Sequence, residues 1–348
     1  MTFVLVKLVL STHAYYLEST YDGICYLLYF TAGLFSLILL LNGKAEAHLM
    51  DHSLISVSYN NTCKHLQKKI YDLLLRIIPE NRYGDKFISL VTFLRTHHRF
   101  PTRKFILNDF LYNIKTSDEI IDPTRVLVSD KEFVKMFVKS IVGEQYNVPT
   151  ITILHTIEEV TAFQFPADCC IKPTHLCGEY ILRRGDSPID FEMIRQWFKK
   201  SHYQVNREAN YKTLFPKVIV EPLLFGCNQL NDYKFLCYEG KPKLIQVDVD
   251  RQSNHVRNYY DTEWNKMPFT LVSNSSRQVT VEKPKNFDNM LSIASSLSRH
   301  FNLVRIDLYT NGEECYVGEI TNCHGNASEK FTPKSGEALA SNMIFGIN

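Results

Sequence analysis

Leu303-Val-Arg-Ile-Asp-Leu-Tyr309, a polar turn, then Tyr316-Val-Gly-Glu-Ile-Thr321 is the stretch that decides how this chain folds. Two strand-like runs flank Asn311-Gly312, and each carries one carboxylate among apolar neighbours. Along the first, Val304, Ile306 and Leu308 alternate with Arg305, Asp307 and Tyr309, the period-two pattern of a strand with one apolar and one polar face. On the second, Glu319 lies between Gly318 and Ile320. Two carboxylates about 4 Å apart repel by roughly 4 kcal/mol at an effective dielectric near 20. A hairpin that pairs Asp307 with Glu319 therefore calls for a cation, and a hard ion such as Mg2+ is the candidate. The alternative is a surface hairpin with solvated charges. Register separates the two, because a slip of one residue turns every side chain to the other face. Asp307 and Glu319 share a face only across an odd-numbered loop, of about three or five residues including Gly312, whereas a tight Asn311-Gly312 turn parts them.

Working outward, a chain of 348 residues has room for about two domains. Its 45% apolar and 22% charged content is that of a folded protein. A net charge of +2 gives no reason to invoke nucleic acid as a partner. The cysteines stand at positions 25, 63, 169, 170, 177, 227, 237, 315 and 323. The count is odd and no pair has CxxC spacing, which points to buried thiols in a reducing compartment. The glycosylation triplets at Asn60, Asn274 and Asn326 are short enough to arise by chance.

Residues 1–50 form a hydrophobic N-terminal segment whose uncharged run Ile24–Leu41 contains eleven Leu, Ile or Phe residues. As a helix that run spans about 27 Å, close to the hydrocarbon thickness of a bilayer. It is read as a single membrane anchor, and the lysines that follow it (Lys44, Lys64, Lys68, Lys69) keep the main body cytoplasmic. Residues 51–128 read as a helical region, with Leu66, Ile70, Leu73, Leu74 and Ile77 at helical spacing before Pro79. From Ser129 the character changes. A helix is expected from Phe133 to Ile141, ended by Gly143, and strands over Pro149–Leu154, Cys169–Lys172 and Lys217–Leu224. Phe191–Lys200 reads as a helix, Tyr233–Tyr238 and Pro242–Val249 as a hairpin around Glu239-Gly240, and Asp288–Phe301 as a helix. Hairpins mixed with helices indicate an α+β fold rather than a doubly wound parallel sheet.

Two constellations besides the hairpin can carry chemistry. Lys172 ends the apolar run Cys169-Cys-Ile-Lys-Pro173 ahead of a loop with Gly178, where a lysine meets phosphate as a point charge. The chain has no Walker A, GxGxxG, HExxH or Gly-x-Ser-x-Gly motif. In the segments Asp232-Tyr-Lys-Phe235 and Gln246-Val-Asp-Val-Asp-Arg251, alternation places Gln246, Asp248 and Asp250 on one face. A polar loop with Asn254, His255 and Arg257-Asn-Tyr-Tyr-Asp261 is expected to follow. Arg251 and Arg257 can hold phosphate or carboxylate in bidentate fashion, and His255 can act as a base. A surface ion-pair network is the competing account of these charges.

Taken in order along the chain, these segments resemble the TupA-like (teichuronopeptide-biosynthesis type) branch of the ATP-grasp superfamily. Ser129-Asp-Lys131, Ile171-Lys-Pro173, Val218-Ile-Val-Glu-Pro222, Asp232-Tyr-Lys-Phe235, Asp248-Val-Asp-Arg251, Arg257-Asn-Tyr-Tyr-Asp-Thr-Glu-Trp264 and the opening hairpin carry the likeness, over about residues 95–345. The resemblance implies an ATP-grasp domain over 129–348, with a first subdomain at 129–220 and a second at 221–348 bearing the metal-binding hairpin. It implies ATP and Mg2+ as cofactors, a carboxylate-bearing glycan or peptide acceptor, an amine, and ligation through an acyl phosphate in cell-surface polymer biosynthesis. By matching position Lys131, Lys172 and Gly178 meet phosphate, Glu221 lies near the adenine, and Asp307, Glu319 and Asn322 hold the metal. Lys234, Arg251 and Arg257 face the transferred phosphoryl group or the acceptor. Two segments depart from the family pattern. The loop after Lys172 reads Thr174-His-Leu-Cys-Gly178, with one glycine, and the segment after Glu319 reads Asn322-Cys-His-Gly-Asn326. A degenerate nucleotide-binding scaffold in a glycan assembly complex and a glycosyltransferase using a sugar nucleotide stay open as alternatives.

Overall fold

The computed structural model describes residues 68–185, 187–226, 231–249, 256–271 and 280–346. The apolar run 24–41, Asp250, Arg251, Asn254 and His255 lie outside the described residues. The chain divides into two units, Met1–Ile77 and Ile78–Asn348. In the first unit residues 68–77 are helical. Among the described residues no helix is long and apolar enough to cross a membrane.

The second unit opens with four helices: α1 (Arg82–His97), α2 (Leu107–Thr116), α3 (Pro123–Ser129) and α4 (Phe133–Ile141). A four-stranded sheet follows, built from β1 (Thr152–Leu154), β2 (Cys169–Pro173), β3 (Ile181–Arg183) and β4 (Val218–Pro222) in the order β1-β4-β2-β3. Short helices α5 (Ile157–Ala162), α6 (Phe191–Trp197) and α7 (His202–Asn206) lie between its strands in sequence. A five-stranded sheet comprises β5 (Asp232–Tyr238), β6 (Lys241–Val249), β7 (Val256–Tyr260), β8 (Leu303–Thr310) and β9 (Cys315–Thr321) in the order β7-β6-β5-β8-β9. Helices α8 (Phe287–Ser298) and α9 (Gly336–Phe345) complete the unit. Every paired strand in both sheets is antiparallel, which bears out the α+β reading.

The two faces of the five-stranded sheet differ, as alternation requires. On one, Phe235, Ile245, Val247, Val304, Ile306 and Leu308 pack against Phe287, Met290, Ile293, Ala294 and Leu297 of α8, each large side chain contributing about 1.5–3 kcal/mol of burial. On the other, Leu236, Leu244 and Leu303 pack with Leu107 and Leu111 of α2 and Ala340 and Ile344 of α9. That apolar group covers one end of the face and leaves polar side chains on the rest. The smaller sheet buries Ile171, Val218 and Val220 against Ile194 and Trp197.

Two local expectations fail, for physical reasons. Arg257–Asp261 was read as part of a polar loop, yet Val256–Tyr260 is the edge strand β7. Its Val256, Tyr259 and Tyr260 are buried, and Arg257 and Asn258 between them disguised the pattern. The loop joining β8 to β9 has four residues, Asn311–Glu314, between the partners Thr310 and Cys315. An even loop should part Asp307 from Glu319. The ladder instead steps from Leu308↔Val317 to Asp307↔Glu319, so Gly318 is an extra, bulged residue that restores the pairing. Glycine is required there because a Cβ would stand 2.4 Å from the Tyr309 ring.

Candidate functional site

Register alone lays two polar rows across the five-stranded sheet. One runs Tyr259, Gln246, Lys234, Asp307, Glu319 from β7 to β9. The other, two residues along and therefore on the same face, runs Arg257, Asp248, Asp232, Tyr309. Lys234, on the central strand, bonds to Asp232 and places its Nζ 2.6 Å from Asp307 Oδ2. Arg305 forks onto the same carboxylate, with Nε 2.7 Å from Oδ1 and Nη2 2.8 Å from Oδ2. Burial disfavours ionisation of Asp307, but Arg305 and Lys234 outweigh it and hold the carboxyl below its usual range. Arg257 forks onto Asp248 at 2.6 and 3.1 Å. Gln246 links the two rows: its Nε2 donates to Asp248, and its Oε1 accepts from the Tyr259 hydroxyl at 2.8 Å.

The smaller sheet supplies the facing charges. Lys172 on β2 lies 2.8 Å from Glu221 of β4, and Lys135 of α4 lies 2.7 Å from the other oxygen of that carboxylate. Burial opposes the charge on Lys172, but Glu221 more than offsets it and the ammonium is held charged beyond its ordinary range. The loop Thr174–Gly178 is tied back to Lys131, whose backbone N–H donates to Thr174 O at 3.1 Å and whose Nζ donates to Leu176 O. Gly178 takes a φ of +75° in open space, a conformation for which glycine is suited. From this loop the Cys177 thiol reaches 3.6 Å from Glu319 Oε1 and 3.1 Å from the Tyr211 hydroxyl. Burial pushes that thiol up to about 12. The loop after Lys172 and the carboxylate hairpin thus come into contact.

Of the residues singled out from sequence, Lys131, Lys172, Gly178 and Glu221 gather on one side, and Lys234, Asp307, Glu319 and Arg257 on the other. Asn322 is spent elsewhere: its amide donates to Arg125 O and Ser129 Oγ at 2.9 and 3.1 Å and accepts from the Arg125 guanidinium at 3.0 Å. Arg305, Lys135 and Cys177 were not assigned roles. Arg305 was recognisable, since it sits two residues before Asp307 and so on its face; Lys135 and Cys177 arrive from distant segments and left no local signal.

The donor set fits a magnesium nucleotide better than a caged metal. Asp307 and Glu319 offer hard oxygen donors on adjacent strands, and Mg2+ takes one or two carboxylates and completes its shell with water and phosphate. Among the described residues no group of three or more His, Cys, Asp or Glu side chains could hold a metal ion. A family model described as TupA-like ATPgrasp matches residues 111–344. The chain belongs to the TupA-like ATP-grasp family. That match takes in both sheets and every residue of the cleft named above. No curated protein matches this TupA-like chain. Three ligases are among the solved structures similar at low identity. D-Alanine–D-alanine ligase from Helicobacter pylori is 12% identical over 59% of this chain and 54% of that one, TM-score 0.33. D-Alanine–D-alanine ligase from Bacillus anthracis complexed with ATP is 15% identical over 63% and 64%, TM-score 0.33. L-Amino acid ligase from Bacillus licheniformis is 11% identical over 77% and 58%, TM-score 0.38. The TupA-like chain therefore spans between half and two thirds of the length of these structures.

Proposed function

We propose that this chain is an ATP- and Mg2+-dependent ligase that joins a carboxylate to an amine through an acyl phosphate, acting in the cytoplasm on a precursor of a cell-surface glycan or peptide polymer, with residues 24–41 tethering it to the membrane. The observation that carries the reading is the meeting of Cys177, in the loop behind Lys172, with Glu319 of the hairpin. A polyphosphate bound beside this contact would have lysines on one side and oxygen ligands for its metal on the other. Phosphoryl transfer needs little from a protein beyond such positioning and charge. When bound, Mg2+ supplies neutralisation of phosphate charge. Lys131 and Lys172 bind phosphate oxygens, and Glu221 holds Lys172 in place. Lys234, Arg257 and Arg251 steady the transferred group and the acceptor carboxylate, and Arg305 orients Asp307.

Calorimetry on the full chain tests this. ATP should bind only with Mg2+ present, ahead of GTP and UDP-sugars. Lys172→Ala should weaken it about 10- to 100-fold, since a bond to a charged group is worth about 1.5–3 kcal/mol. Absence of Mg2+-dependent ATP binding, or preference for a UDP-sugar, would overturn the reading. One observation favours a second reading, a nucleotide-binding scaffold without turnover: Cys177 places a side chain beside Glu319, where bare backbone amides cradle phosphate best. On that account Asp307→Asn and Glu319→Gln leave biological function intact.

A further inference from the structure

The segment between α1 and α2 carries two cations that the site above does not use. Arg103 and Lys104 are exposed, and among the described residues their side chains make no hydrogen bond or ion pair. Phe105 follows them, 48% exposed. Its ring stacks on Phe110 of α2 at 6.1 Å and meets Phe345 of α9 at 5.4 Å. Tyr238, the last residue of β5, closes the group, with its ring 5.8 Å from Phe110 and 5.0 Å from Phe345. All four rings keep part of their surface in water. Lys241 pairs directly with Tyr238 across the β5–β6 hairpin, so the two side chains share a face. Lys241 is also exposed and, among the described residues, makes no ion pair. A cluster of aromatic rings thus has cations at both ends.

The carboxylates beside it do not cancel that charge. Asp109 is buried and taken up by Arg99 and Thr102. Glu239, at the hairpin tip, is exposed and engaged by the Tyr238 hydroxyl. Single exposed aromatics are ordinary, but a contiguous group flanked by lysine and arginine has the composition that settles where lipid headgroups meet acyl chains. The shape agrees. A loop, a hairpin tip and a helix end form this surface, and such elements offer points of insertion into a layer rather than a strand edge for a peptide.

We propose that this surface docks on an anionic bilayer, with Arg103, Lys104 and Lys241 meeting lipid phosphates and Phe105 entering the headgroup boundary. The proposal goes beyond the ligase reading and does not depend on it. Each basic residue near an anionic surface strengthens binding about fivefold, so three supply about 100-fold. That orients a chain already held at a membrane but does not anchor one alone. Tyr238 stands at one end of β5 and Asp232 at the other, about 20 Å apart along a strand. Docking at the Tyr238 end therefore leaves Asp232, Lys234 and Asp307 facing away from the lipid.

The test reads the patch locally, because a tether at residues 24–41 would hold the full chain on any vesicle. Phe105→Trp in the full chain is mixed with vesicles of phosphatidylcholine, or of phosphatidylcholine with about 30% phosphatidylglycerol, each brominated in the acyl chains. The fluorescence of Trp197 and Trp264 in the unmodified chain is the background. Anionic vesicles should quench the added fluorescence at least about threefold more than zwitterionic ones, and salt at about 0.5 M should remove the difference by screening. Arg103→Ala with Lys104→Ala should weaken the anionic contact about 25-fold and Lys241→Ala about fivefold, while Lys104→Arg retains it. These side chains are exposed, so the melting temperature should not move. Equal quenching by the two vesicles overturns the proposal, as does anionic quenching that survives the loss of Arg103 and Lys104. Displacement by glycerol 3-phosphate at constant ionic strength also overturns it, because the patch would then be a site for a soluble anion. None of these readouts involves MgATP.

Discussion

Replacing Lys234 with methionine removes the charge at the centre of the five-stranded sheet while keeping most of the side chain's volume. Lys234 is 5% exposed and bonds to both Asp232 and Asp307. Breaking a buried pair by deleting one partner costs about 3–5 kcal/mol, because the remaining charge is left buried. Arg305 still holds Asp307 at 2.7 Å, so the lower end applies, about 3 kcal/mol. At about 2–4 °C per kcal/mol for a unit of this size, the melting temperature should fall by roughly 6–12 °C. The pH dependence fixes the cause. Asp307 has a carboxyl held below its usual range, with Arg305 and Lys234 outweighing burial. A depressed carboxyl contributes stability that is present above its unfolded value and is lost as pH falls through the folded one. The variant has surrendered part of that contribution, so the gap between the proteins should be widest near neutral pH and close below about pH 4, where carboxylates take up protons. Urea unfolding of both proteins at the two pH values measures it. A loss under about 1 kcal/mol, or a gap that does not change with pH, refutes the account of Lys234 as the counter-charge of this pair.

Two further outcomes follow from the hairpin and the loop facing it. Gly318→Ala drives a methyl group into the Tyr309 ring; the strain of such overpacking is about 1–3 kcal/mol, and MgATP affinity should fall with stability as the bulge that presents Glu319 is disturbed. Loss of stability with affinity unchanged would show that the bulge does not serve the site. Cys177, with its thiol pushed up to about 12, is almost wholly protonated at neutral pH. Iodoacetamide at about pH 8 should therefore modify it far more slowly than an ordinary free thiol, and rapid labelling at Cys177 by peptide mass mapping would contradict the half-buried contact with Tyr211 and Glu319.

The legible part of the chain was the part whose chemistry is local. Alternation through Val304, Ile306 and Leu308 gave β8, and Glu239-Gly240, with φ values of 47 and 73°, is the left-handed turn that two flanking strands require. The pairing of Asp307 with Glu319 was also expected, but through the wrong device. Counting loop residues assumes an unbroken ladder, and a bulge at a glycine changes the parity without changing the loop. The edge strand β7 was hidden because Arg257 and Asn258 pair across to Asp248 and Val247, and an ion pair within a sheet looks like a polar loop in sequence. Lys135 and Cys177 come to the cleft from residues far from their partners Glu221 and Glu319, and no spacing rule connects such positions. Asn322 lies next to the hairpin and suggested a ligand, yet proximity in sequence says nothing of direction: its amide turns to α3, where Arg125 and Ser129 take all it offers.

On the ligase reading, the charges of the site constrain how nucleotide and metal would enter it. Lys135 and Lys172 pair with Glu221, Lys234 with Asp232 and Asp307, and Arg305 with Asp307, while Glu319 meets the Cys177 thiol. Buried ions carry a desolvation penalty of several kcal/mol each unless paired, so the lysines persist in the cleft because the carboxylates accompany them. A polyphosphate entering alone gains the lysines but meets Asp307 and Glu319, like charges that repel it. A magnesium ion entering alone gains the two carboxylates but meets Lys234 and Arg305, which already occupy Asp307. On the ligase reading, Lys135 and Lys172 would bind the phosphates while Asp307 and Glu319 would hold the metal, whose charge would take the place of the ammonium's there. Coupling of this kind is reciprocal, so on the ligase reading Mg2+ would raise affinity for ATP by the factor by which ATP raises affinity for Mg2+.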